Sequence, residues 1–193
     1  MPFILLARKG RNFIGIKKPQ SYKWLFYSFL LGIASCIVVF TIAQFTFGDS
    51  INNWFVYISQ SFGAARNGLT PDNKIFIFLV FAIISMIFSP FGEEFLYRGV
   101  IHKSFASKFG ENKASVIDSS AFALTHLAHF GIVYINNSWK LLFVPALLWV
   151  IIIYFTGRLF HFCKVKTSSV FGAVFCHAGF NLTMIYFIFY HIF

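Results

Sequence analysis

Glu93 and Glu94 stand side by side, with Arg98 four residues on, at the end of the apolar run IFIFLVFAIISMIFSPF. Ionised groups at membrane depth cost roughly several kcal/mol unless they are paired or put to use. On a helix Glu94 and Arg98 are i and i+4 and face each other, while Glu93 lies about 100° round the barrel. One carboxylate therefore has a local partner and the other has none. Two readings stay open on these residues alone: Glu93 is a base beside a cavity, or Glu94 and Arg98 form a snorkelling pair at a helix end with Glu93 wet. Pro90 favours a cavity, because it removes a backbone hydrogen bond and tends to kink a membrane helix.

Two further stretches carry polar pairs at helical spacing. Phe122 and His126 are four apart, with His129 close behind on roughly the same face, and His177 and Asn181 are again four apart. A lone histidine in an apolar helix is more often a packing residue than a base or ligand, but three such pairs on three segments point to a shared interior site. The chemistry these types offer is water activation by a carboxylate and an imidazole, with polar hydrogens for a developing oxyanion. Zinc held by Glu93 and the two histidines is an alternative, although HExxH is absent. Haem between His126 and His177 is another, and it leaves the glutamates unexplained. His129 fits either the site or packing, with packing favoured. His102, His161 and His191 fall near span ends, where interfacial solvation suffices.

The elements that position these residues follow from composition. Of 193 residues, 58% are hydrophobic and 11% charged, which excludes an ordinary soluble domain and implies an integral membrane protein. The expected fold is an all-α polytopic bundle, one integral membrane domain over 1–193, of about five spans: 24–47, 75–97, 114–131, 140–157 and 168–192. The span 24–47 is an extra N-terminal helix; 75–192 is a core whose four helices include the motif-bearing ones. The segment INNWFVYISQSF between the first two spans is expected to form an interfacial helix. Cys36, Cys163 and Cys176 lie in or beside apolar spans without metal spacing and are expected to pack as small hydrophobes.

The formal net charge of +10 reads as membrane topology rather than nucleic-acid binding. Thirteen of the sixteen basic residues fall on alternate connections: the N-terminal segment, the region from Arg98 to Lys113, and the region from Arg158 to Lys166. Arg66, Lys74 and Lys140 make up the other side. The positive-inside rule then puts the N-terminus in the cytoplasm and the C-terminus outside. The basic connections would also attract anionic lipid, at about 1 kcal/mol per residue near the surface.

EEFLYR (Glu93, Glu94, Arg98), FALTH (Phe122, His126) and HAGFN (His177, Asn181), in that order, resemble the EExxxR, FxxxH and HxxxN motifs of the CAAX protease and bacteriocin-processing (Abi) family. These are glutamic-type intramembrane endopeptidases, and the resemblance covers about residues 75 to 190. It implies a metal- and cofactor-independent protease in which Glu93, helped by His126, activates water, while His177 and Asn181 stabilise the oxyanion. Glu94, Arg98 and Phe122 would support the site. The implied substrate is a membrane-associated or prenylated protein or peptide, and the implied location is the cytoplasmic membrane of a bacterium. A non-catalytic immunity or partner-binding protein of the same fold is the alternative.

The orientation is testable directly. A reporter active only outside the membrane should give signal when fused after Phe193 and none after Lys166; the reverse pattern would overturn it.

Overall fold

Lipid offers backbone N–H and C=O groups no partner, so long apolar runs close their hydrogen bonds internally as helices. In the computed structural model, which describes residues 2–135 and 137–193, four helices are long and apolar enough to cross a membrane. They are α1 (Tyr22–Phe47), α3 (Lys74–Phe109), α5 (Phe143–Thr167) and α6 (Val170–Ile192). Between them lie a short α2 (Trp54–Ser59), α4 (Glu111–Thr125), and an antiparallel hairpin of β1 (Ile132–Ile135) and β2 (Ser138–Leu141).

The expected all-α membrane bundle is present, with three differences from the expected spans. First, α3 does not stop near residue 97; it runs on to Phe109 through a π-helical stretch, Phe95–Ile101, so Arg98, Lys103 and Lys108 lie on the helix rather than in a turn. Second, the region 114–131 is not a long apolar span. Its helix α4 has 15 residues, about 22 Å at 1.5 Å each, and carries Ser115, Asp118, Ser119 and Ser120, too short and too polar for an ordinary crossing. Third, residues 138–141 are strand, so the next helix begins at Phe143 and keeps Arg158, Lys164 and Lys166 on its last turns.

The chain nevertheless traverses the bundle five times, with α4 as the short pass. At one end Gln20 N–H donates to Thr167 O at 2.9 Å and Ser169 Oγ to Lys17 O at 2.6 Å. At the other, Trp54 packs on Trp149 with ring centroids 5.6 Å apart, and the Arg66 guanidinium lies 5.5 Å from the Phe193 ring centre. Residues 17 and 193 therefore sit at opposite ends. The segment after Asn53 is helical but short, and it turns inward: Trp54 and Phe55 are buried, capping the bundle.

The N-terminal helix is no appendage. α1 and α6 cross with backbones in contact at Gly32 and Gly179, where a Cβ on the first would collide with the Cys176 carbonyl oxygen and one on the second with that of Phe29. Small residues allow this approach, and in lipid close packing is what holds helices together. Cys36, Cys163 and Cys176 are buried as free thiols around this seam.

Because the obstacle is backbone, Gly32→Leu cannot be relieved by a rotamer change. It should cost at least the roughly 1–3 kcal/mol of ordinary overpacking, seen as a lower thermal midpoint in detergent. Gly63→Ala, at a position with open space around it, should change little. Equal midpoints for the two variants would refute the close α1–α6 seam.

Candidate functional site

α3 presents Ser85, Ser89 and Glu93 on one face, one turn apart, toward a cavity of about 280 Å³ in the bundle interior. His126, His177 and Asn181 line the same cavity, as do His129, Phe122 and Trp149. The four residues expected to do chemistry are thus brought together. Glu94 and Arg98 do not line it; they lie behind it, fully buried.

Glu93 is held by its own helix. Ser89 Oγ donates to Glu93 Oε1, leaving Oε2 buried and without a hydrogen-bond partner among the described residues. His126 lies just past α4, in a short 3-10 turn (His126–Ala128) whose carbonyl at His126 accepts from Trp149 Nε1 at 3.0 Å. Its Nδ1 is 2.8 Å from Phe122 O. Since a carbonyl only accepts, Nδ1 carries the proton, and in the neutral ring Nε2 is a lone pair. That Nε2 is 3.8 Å from Glu93 Oε2. The distance is too long for a direct hydrogen bond, and the two unoccupied acceptors face one spot, where a water can donate a proton to each.

On α6, His177 Nδ1 is 2.8 Å from Glu94 Oε1, and its ring stacks on Phe160 at 4.8 Å between centroids. Asn181 Nδ2 donates to Ser85 O at 2.9 Å, tying α6 to α3 beside Glu93.

Behind the cavity, Arg98 forms the expected pair with Glu94, Nη1 to Oε1 at 3.2 Å, but both side chains have no solvent exposure. This is an interior ion pair, not a snorkelling one. Arg98 Nη2 donates to Gly157 O at 2.9 Å, and its Nε is 3.8 Å from Asp118 Oδ1. The guanidinium lies 4.3 Å from the centre of the Phe122 ring, so the motif phenylalanine is a cation–π floor for Arg98 as well as a wall of the cavity. Gly157 makes room, because a Cβ there would come within 2.7 Å of Arg98 Nη2.

The motifs did not reveal Ser89, Trp149, Gly157 or Asp118, whose roles depend on contacts between segments distant in sequence. Two readings are corrected. His102 is not solvated at an interface: it is fully buried, with Nδ1 2.6 Å from Asp118 Oδ2 and Nε2 2.6 Å from Glu111 Oε2. Lys164 is not a surface charge of a turn: it is buried and donates to Arg98 O at 2.8 Å, a carbonyl within the π-helical stretch. Glu111, mostly exposed at the start of α4, is held down at about 2 by hydrogen bonds from His102 and then Lys103. Its folded-state pKa is depressed, so the stabilisation is present above about pH 4.5 and is lost as pH falls from there toward 2.

Removing Arg98 strands Glu94 and Asp118 in the interior, and breaking a buried pair costs about 3–5 kcal/mol. Arg98→Ala should therefore leave little folded protein by size-exclusion profile. Arg98→Lys should rescue only partly, since an ammonium cannot reproduce the planar fork that serves Glu94 and Gly157 together. A fully stable Arg98→Ala protein would refute the clamp.

Residues 75–183 match the family model described as Type II CAAX prenyl endopeptidase Rce1-like. No curated protein and no solved structure matches the chain.

Proposed function

The chain belongs to the Rce1-like family of type II CAAX prenyl endopeptidases, and from that premise we propose that it is an intramembrane peptidase working by water activation at Glu93 and His126. Family membership supports a protease in the membrane. The observation that carries the mechanism is the facing pair of open acceptors, Glu93 Oε2 and His126 Nε2, 3.8 Å apart in a largely apolar cavity.

The reaction proceeds as follows. A water between the two acceptors gives a proton to Glu93, and the hydroxide adds to the scissile carbonyl carbon. The oxyanion that forms is met by donors from α6. His177 directs Nδ1 at the Glu94 carboxylate, and its Nε2 donates to the oxyanion when the ring carries both protons. The Asn181 amide supplies a second donor. Glu93 then returns its proton to the leaving nitrogen as the C–N bond breaks, giving a carboxylic acid and an amine, between which the acid's remaining proton passes on release. Ser89 holds Glu93 in position, and the Phe122 carbonyl fixes the tautomer of His126.

The substrate is a peptide segment reaching the cavity from a membrane-associated or prenylated protein. The end of the bundle bearing residues 17, 103 and 164 faces the cytoplasm in this reading, which follows from the basic residues gathered there.

Glu93→Gln retains size and hydrogen-bonding capacity and removes the base. It should insert and fold as the parent does and lose at least about a hundredfold in cleavage rate, the lower range for general acid–base catalysis. His126→Ala should behave similarly. The check is processing of membrane-proximal peptides in a deletion strain complemented with each variant, with immunoblots for abundance. Full complementation by well-expressed Glu93→Gln would end the protease reading in favour of a non-catalytic partner-binding protein.

A further inference from the structure

One helical turn from the Arg98 clamp, toward the end of the bundle that holds residue 17, the same three helices bring a second set of side chains together. His102 follows Arg98 by four residues on α3, His161 follows Gly157 by four on α5, and Asp118 precedes Phe122 by four on α4. The contact that fixes Arg98 against Phe122 and Gly157 therefore also fixes the register of these three. Their ligand atoms lie within 4.8 Å of one another.

We propose that His102 Nδ1, Asp118 Oδ2 and His161 Nδ1 bind a divalent transition-metal ion of the zinc class, at a site separate from the catalytic cavity. Four observations support this. His161 Nδ1 is buried and has no hydrogen-bond partner among the described residues, yet it points to Asp118 Oδ2 from 3.9 Å. His102 Nδ1 approaches the same oxygen at 2.6 Å, with its ring centre 4.7 Å from that of His161. Ligands on tetrahedral zinc sit about 3.3 Å apart, given bonds near 2.0–2.1 Å. The His102–Asp118 pair must open and the His161–Asp118 pair close by well under an ångström, and the two histidine nitrogens, within 4.8 Å of each other, must close by at most about 1.5 Å.

The surrounding groups also suit a metal. Glu111 Oε2 is 2.6 Å from His102 Nε2, the nitrogen that would not ligate, and a carboxylate on the far side of a ligating imidazole is the usual partner that orients it. Asp118 Oδ1, the oxygen left over, accepts from Ser119 Oγ at 3.1 Å. Two imidazoles and one carboxylate are the donor set that zinc takes with an open fourth position for water. The nearby cations do not forbid the ion. Arg98 is balanced by Glu94 and Lys103 by Glu111, and Lys164 directs its ammonium at the Arg98 carbonyl. Bound there, the ion would lock α3, α4 and α5 behind the arginine that supports Glu94 and His177, a structural role independent of whether the cavity cleaves peptides.

The test uses the full chain in detergent, stripped with a chelator and titrated with Co²⁺, whose visible bands report four-coordinate geometry. The expected result is saturation at a single ion per chain and displacement by Zn²⁺. His161→Gln should abolish the bands, Glu111→Gln should weaken binding about tenfold to a hundredfold, and His126→Ala should leave binding intact. His161→Cys should restore binding with added thiolate-to-cobalt absorption, which decides the matter if His161→Gln does not fold. Lack of saturable binding by folded protein would overturn the proposal. So would bands that survive in folded His161→Gln, or bands lost in His126→Ala, which would put the ion in the catalytic cavity.

Discussion

A guanidinium sealed from both water and lipid sets the terms for the rest of this molecule. An unpaired ion buried there would cost the fold roughly several kcal/mol. The compensation comes from different helices: hydrogen bonds to Glu94 on its own α3 and to the Gly157 carbonyl on α5, the charge of Asp118 on α4 3.8 Å from Nε, and the Phe122 ring beneath. Glu94 passes the constraint on to His177 of α6. One side chain therefore fixes the relative register of four helices whose other surfaces are largely apolar and carry little directional information. The π-helical stretch around Arg98 belongs to the same solution, since its carbonyl accepts from Lys164, a second cation brought inside. Such stretches within α-helices are concentrated at functional sites.

The same constraint accounts for two adjacent glutamates in different states. Glu94 spends its interactions on Arg98 and His177 and has no access to the cavity. Glu93, about 100° round the helix, has Ser89 as its one hydrogen-bond partner among the described residues, with His126 Nε2 3.8 Å from its other oxygen in the cavity. An interior arginine thus lets one carboxylate be structural without neutralising its neighbour. That separation is what a base needs: a low-dielectric surrounding in which its negative charge is not already consumed by an ion pair.

Much of this was legible in the residues. Hydropathy marked the long helices, and the i, i+4 spacings of Glu94 with Arg98, Phe122 with His126 and His177 with Asn181 marked the faces that meet, because local periodicity survives in any packing. What escaped was whatever depends on contacts between distant segments. Gly157 is an unremarkable glycine until Arg98 lies against it. Asp118 sits in a serine-rich stretch with no motif around it. His102 and His161 read as span-end residues because the sequence does not show that α3 continues to Phe109 or α5 to Thr167. The expected span at 114–131 failed for a physical reason: α4 turns Ser115, Asp118 and Ser119 into the protein, where polar groups are tolerated, and hydropathy alone does not show that the helix ends at Thr125.

The position of α3 bears on how a substrate would arrive. Most of its apolar surface is exposed, with Phe88 at 73% and Phe76 at 67%, whereas α6 is mostly enclosed. The cavity therefore has one wall that is a single helix thick, with lipid on its far side and Ser85, Ser89 and Glu93 on its near side. The roof is the short segment after Asn53, through Ile58, Ser61 and Phe62, anchored by Trp54 against Phe130 and Trp149. The Arg98 network ties the part of α3 beyond Glu93 to α4, α5 and α6 behind the site, and the roof takes no part in it. α3 is thus pinned by buried charge and by the Asn181–Ser85 hydrogen bond, while the Trp54 anchor of the roof rests on aromatic packing, which in lipid can be exchanged for other apolar contacts at little cost.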